Sequence, residues 1–183
     1  MVILASNSPT RAALLRQAGI AFEQRGVDFD EERLTYEAPK RFAYYATKGK
    51  LERFLELYGL ETPVLAADTV VTCKGKLLQK APTREAARAM LELQSGSQVS
   101  IMTCMMYQTL RLALIDFSVT HYQFAPFASG EMEAYLECDA WEGKAGAVEV
   151  EGFCKPYIRK VVGFESTAMG LCVEKLLPFL ERA

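Results

Sequence analysis

An α/β fold around one mixed sheet, with helices flanking it, is predicted by three features of the chain. Apolar runs of strand length alternate with helical periodicity from one end to the other. The opening residues read strand, tight loop, helix. The 183 residues are 50% hydrophobic and 24% charged, enough apolar material for a packed core and too much for a disordered chain. An α+β arrangement of the same sheet is the neighbouring alternative.

The elements follow in order. Residues 2–5 form a short apolar run, read as a buried strand. Ser8 is a natural N-cap, Pro9 fits a first helical position, and residues 10–18 carry Ala12, Leu14, Leu15 and Ala18 before Gly19 stops the helix. A second strand is expected at residues 21–27, then the acidic loop Asp28, Phe29, Asp30, Glu31, Glu32. Pro39 opens a long helical pattern to about Tyr58. Residues 64–73 read as a strand with Asp68 in the middle, and Lys74, Gly75 and Lys76 turn it into Leu77 and Leu78. Thr83 caps a helix to about Leu93. Residues 100–107 and 112–124 read as two antiparallel strands, 129–137 as a short helix, 141–152 as a glycine-punctuated loop and 157–162 as a last strand. A C-terminal helix is expected to end near Arg182.

Composition excludes several chemistries. The net charge is −2 and the isoelectric point about 5.6, which argues against a nucleic acid polymer as partner. His121, the single histidine, rules out zinc sites built on several imidazoles and sits in alternating strand sequence. The five cysteines (73, 104, 138, 154 and 172) form no C-x-x-C pair, so reduced core thiols in a cytoplasmic protein are expected. No run reaches the length of a membrane span, and the apolar start is too short for a signal peptide.

Two segments carry chemistry. The loop Ser6, Asn7, Ser8, Pro9 leaves a strand and enters a helix, so its N–H groups and the helix dipole favour an anion. Ser6 and Ser8 add hydroxyls, and Arg11 adds a forked cation suited to phosphate. On its own the segment reads first as a capped helix with a solvated arginine, and no Walker A or G-x-G-x-x-G loop is present. In Ala66-Ala67-Asp68-Thr69-Val70 an acid stands within an apolar strand, an expensive place unless it is paired or ligated. It suits a hard divalent cation that bridges phosphates; the plainer readings put it at the strand's exposed end or tie it to a lysine. Lys48, Lys50, Lys80 and Lys144 are scattered cations, each weak alone.

Together these segments resemble the Maf family of nucleoside triphosphate pyrophosphatases, also called septum formation inhibitors. Ala5-Ser6-Asn7-Ser8-Pro9-Thr10-Arg11 resembles the family's Ala-Ser-x-Ser-Pro-Arg-Arg, and Asp30-Glu31 its acidic pair. Ala46-Thr47-Lys48-Gly49 is similar to its Ala-x-x-Lys-Ala, and Ala67-Asp68-Thr69-Val70-Val71 matches its central strand. Lys80 stands in a worn Ile-Leu-Gly-Lys-Pro, and Lys144-Ala145-Gly146-Ala147 matches a family turn. The resemblance implies a single domain over residues 1–183, with two lobes around a nucleotide cleft. It also implies a highly twisted sheet similar to the inosine triphosphate pyrophosphatases, and a homodimer.

It further implies hydrolysis of a nucleoside triphosphate to monophosphate and pyrophosphate with Mg²⁺ or Mn²⁺, in nucleotide-pool sanitation or cell division control. Ser6, Ser8, Arg11 and Lys144 would bind substrate, Lys48 and Lys80 would neutralise charge in catalysis, and Asp68 with Glu31 would hold the metal. Asp68 or Glu31 would serve as base. Departures from the family pattern are Thr10 for an arginine, Gln79 and Ala81 around Lys80, Val148 for tyrosine, Glu151 for glutamine and Cys172 for proline. A nucleotide-binding regulator without turnover is the alternative of another class, and a phosphatase releasing orthophosphate a third.

Overall fold

The computed structural model describes residues 1–35 and 38–180. Helix and strand interleave as β1 (Val2–Leu4), α1 (Pro9–Gln17), β2 (Phe22–Gln24), α2 (Pro39–Tyr58), β3 (Val64–Cys73), β4 (Lys76–Leu78), α3 (Arg84–Gln94), β5 (Gln98–Gln108), β6 (Ala113–Phe124), α4 (Ser129–Glu137), β7 (Ile158–Val162), α5 (Glu165–Ala168) and α6 (Val173–Leu180). The seven strands form one sheet in the order β2-β1-β3-β5-β6-β7, with β4 on β3. β1 runs parallel to both β2 and β3, whereas β3 with β4 and β6 with β7 are antiparallel, so the sheet is mixed. All three residues of β1 are buried, as expected of a strand with parallel neighbours on both sides. Among the described residues, no helix is long and apolar enough to cross a membrane.

The chain divides into two compact units. The first comprises residues 1–69, 102–118 and 164–183. Its core joins Leu4 of β1, Leu14 and Leu15 of α1, Leu65 and Ala67 of β3, Tyr107 of β5, and Leu171 and Leu176. α2 docks through Ala43, Ala46, Thr47, Leu51 and Phe54, one buried stripe at helical spacing. Within that helix Gly49 is unfavourable relative to alanine by about 0.5–1 kcal/mol, and its vacant side is filled by the ring of Phe29.

The second unit comprises residues 70–101 and 119–163. The β3–β4 hairpin turns on Lys74 (φ 49°) and Gly75 (φ 76°), two consecutive left-handed residues of the kind that tight hairpins require. Thr83 accepts a hydrogen bond from Ala86 N–H and caps α3. Arg88 of α3 pairs with both carboxylate oxygens of Glu133 on α4. Phe153 stacks on Tyr135 with centroids 4.5 Å apart and meets Phe127 edge-on at 5.1 Å.

Two expectations change. The second strand is three residues long, ending at Gln24. The expected C-terminal helix is broken into α5 and α6, because Gly170 adopts φ 108°, outside the helical region; the expected end near Arg182 lies outside the described residues.

Four of the five thiols are buried and only Cys138 is exposed. Burial pushes Cys104 up to about 11 and Cys154 up to about 12, which keeps both as unreactive thiols at neutral pH. The native protein should therefore release one equivalent of thionitrobenzoate quickly and the remaining four only on unfolding. Rapid release of two or more would contradict the packing.

Candidate active site

The candidate site lies in the first unit, where the start of α1 meets β3. Ser8 Oγ accepts from Arg11 N–H (3.3 Å), while Ser6 Oγ accepts from Ser8 N–H (3.2 Å). Two N–H groups expected to face an anion are therefore engaged by the loop's own hydroxyls. Gln24 fixes the outer side, donating from Nε2 to the carbonyls of Ser6 (2.9 Å) and Ser8 (3.2 Å).

Arg11 is the hub. Its Nε donates to Gly170 O (2.8 Å), Nη1 to Ser6 Oγ (3.1 Å) and Nη2 to Thr69 Oγ1 (3.2 Å). The break at Gly170 that ends α5 is what presents this carbonyl. Thr103 donates its single proton to Thr167 O (2.6 Å), so Thr69 donates to Thr103 (2.9 Å) and accepts from Arg11. Desolvation pulls the Arg11 pKa down, and the charges of Asp68 and then Glu31 push it back up. A guanidinium stays charged in such a setting, so its field reaches both carboxylates.

Asp68 is 5% exposed on β3. Lys50 Nζ lies 2.6 Å from Asp68 Oδ1 and 2.5 Å from Glu31 Oε1. One ammonium thus joins the mid-strand acid to the acid of the 28–32 loop, and each meets it through a carboxylate oxygen. Two cations and two carboxylates, Arg11, Lys50, Asp68 and Glu31, form a neutral, partly buried set. Among the described residues, no three or more His, Cys, Asp or Glu side chains gather as a metal cage.

The structure brings together Ser6, Ser8, Arg11, Asp68 and Glu31 of the residues singled out in the sequence. It does not bring Lys48, which is half-buried and pairs with Glu52 at 3.3 Å; Lys50 stands at the carboxylates instead. The signal was available in helical arithmetic. Lys50 follows Ala46 by four residues and precedes Phe54 by four, within the buried stripe, whereas Lys48 lies on the face of Tyr44 and Glu52. Thr69 and Gly170 stand in family-like motifs without a role assigned, and Thr103 and Gln24 stand in none. Thr69, Gly170 and Gln24 join Arg11 and its loop, and Thr103 joins Thr69, through tertiary contacts that no local pattern announces.

Lys80 and Lys144 belong to the second unit. Lys80 pairs through its backbone with Ala145, and Gly146 N–H donates to Gln79 O at 2.9 Å. Lys144 Nζ donates to Ala140 O and pairs with Glu149 at 2.9 Å. The buried Gln94 and Tyr135 donate to the carbonyls of Gly146 (2.7 Å) and Ala147 (3.0 Å), fixing this turn.

The Maf-like protein family model matches residues 1–183. A protein of a Nitratiruptor species named nucleoside triphosphate pyrophosphatase is 52% identical over 96% of each chain. A Helicobacter pylori protein of the same name is 39% identical, covering 98% of this chain and 95% of its own. Among solved structures, a HAM1 protein from Coxiella burnetii shares the fold with a TM-score of 0.52 at 14% identity, over 100% of this chain and 98% of that one. The chain belongs to the Maf-like protein family.

Proposed function

We propose that this protein is a hydrolase of the α–β phosphoanhydride of a nucleoside triphosphate, adding water and releasing nucleoside monophosphate, pyrophosphate and a proton. The observation that carries the reading is the Glu31–Lys50–Asp68 bridge beside Arg11. A protein that only bound nucleotide would need the cations, not two carboxylates set among them.

Within this reading the chain's groups have distinct tasks. Arg11 has five N–H donors, three of them spent on Gly170, Ser6 and Thr69; the other two meet phosphate oxygen. Those internal bonds hold the fork rigid, so little reorganisation is needed as charge builds. Lys50 holds Asp68 and Glu31 in place, and one of the two takes the proton of the attacking water. Family resemblance alone assigns Lys80 and Lys144 to the triphosphate.

The donor set suits Mg²⁺ or Mn²⁺, because Glu31 and Asp68 already turn carboxylate oxygens toward one cation, the Lys50 ammonium. A hard ion that keeps its waters and shares substrate phosphates asks for no more than one or two such ligands. Bound there, it would supply Lewis-acid stabilisation of phosphoryl oxygen.

A panel of standard and modified nucleoside triphosphates, assayed for pyrophosphate and orthophosphate separately, tests the reaction. Pyrophosphate release supports it; orthophosphate alone, or no turnover across the panel, would overturn it. Chelation should silence the activity and added Mg²⁺ or Mn²⁺ restore it, whereas turnover that persists in chelator would remove the metal from the account. Clearance of surplus or non-standard nucleotides is the role this chemistry suits, and the reading includes a homodimer of the 20.4 kDa chain, which light scattering would detect.

A further inference from the structure

The loop that carries Glu31 is tied to α2 at two adjacent helical positions. Glu31 meets Lys50 at 2.5 Å, and Phe29, two residues earlier, rests its ring on Gly49. A Cβ at position 49 would overlap Cζ and Cε2 of that ring. The register with β1 ends at Gln24, with Arg25 N–H making a last bond to Leu4 O at 3.0 Å. Both contacts join the loop to the helix through side chains. A carboxylate on an exposed acidic loop would otherwise sample many positions, and ordering it against Lys50 loses conformational entropy. The ring removes much of that loss in advance, because its planar body has few rotamers and fits one gap.

We propose that Phe29, seated in the gap left by Gly49, is a positioning residue that delivers Glu31 to Lys50. The inference rests on reading Glu31 as the site's second carboxylate. Gly49 is then part of the device: a missing side chain in mid-helix makes the seat, and its neighbour Lys50 receives the acid.

The ammonium resonance of Lys50 in lysine-selective ¹H–¹⁵N spectra reports the geometry directly. It is measured on the wild-type protein, Glu31→Gln, Phe29→Ala and Gly49→Ala, each with its thermal midpoint. Phe29→Ala and Gly49→Ala should both move the resonance to the position it takes in Glu31→Gln. Gly49→Ala keeps the ring and favours the helix, so an intact fold is expected there even if Phe29→Ala unfolds. A Lys50 resonance that stays at its wild-type position in Gly49→Ala would overturn the proposal.

Turnover separates a positioning role from general loosening. Phe29→Ala should lower kcat about tenfold in the wild-type background and leave kcat unchanged when added to Glu31→Gln. Losses that multiply in the double variant would overturn it. If every protein lacks pyrophosphatase activity while the resonance moves as described, the positioning stands and the functional reading fails.

Discussion

Asp68→Asn is expected to lower kcat by roughly 10²–10⁴-fold, the range a positioned acid–base group supplies, while the protein stays folded. Asparagine keeps the volume at a position that is 5% exposed and can still accept a hydrogen bond from Lys50. Lys50 retains Glu31 at 2.5 Å, so the substitution leaves no uncompensated buried cation, which would otherwise be strongly destabilising. Circular dichroism should be unchanged and thermal unfolding shifted by only a few degrees. Turnover near that of the wild type would remove Asp68 from the mechanism.

Arg11→Ala should weaken binding of a non-hydrolysable triphosphate analogue by about 10–100-fold, the equivalent of one charge-assisted contact at roughly 1.5–3 kcal/mol. Unlike Asp68→Asn, it should also lower stability. Gly170 O, Ser6 Oγ and Thr69 Oγ1 each lose a donor, and the loss of donors at partly buried acceptors is costly. Arg11→Lys keeps the charge but cannot reach three acceptors in a fork, so it should fall between the two. Titration calorimetry giving the wild-type affinity for Arg11→Ala would contradict the phosphate role.

Where local chemistry fixed an element, the sequence was enough to read it. β3 (Val64–Cys73) and α2 (Pro39–Tyr58) have the bounds that their patterns predict. Ser8 and Thr83 cap their helices through the expected side-chain oxygens. Asp68 stood out because an acid inside an apolar strand demands a partner; the lysine tie, one of the two plainer readings, is present, and the exposed strand end, the other, is not.

The partner's identity was legible through spacing. Placed at Ala46 the motif reads onto Lys48, whereas its three-residue step counted from Thr47 and the buried stripe of α2 both select Lys50. The hub around Arg11 was not legible: Gly170 follows it by 159 residues and Thr69 by 58. The split of the last helix was missed for a related reason. Gly170 breaks the helix, and its carbonyl accepts from the distant Arg11 fork.

Hydrolysis in ¹⁸O-labelled water, with both products analysed by mass spectrometry, tests the central claim most directly. Attack at the α-phosphorus places the label in the nucleoside monophosphate and leaves the pyrophosphate unlabelled. Label in the pyrophosphate, or labelled orthophosphate as the product, would contradict the account.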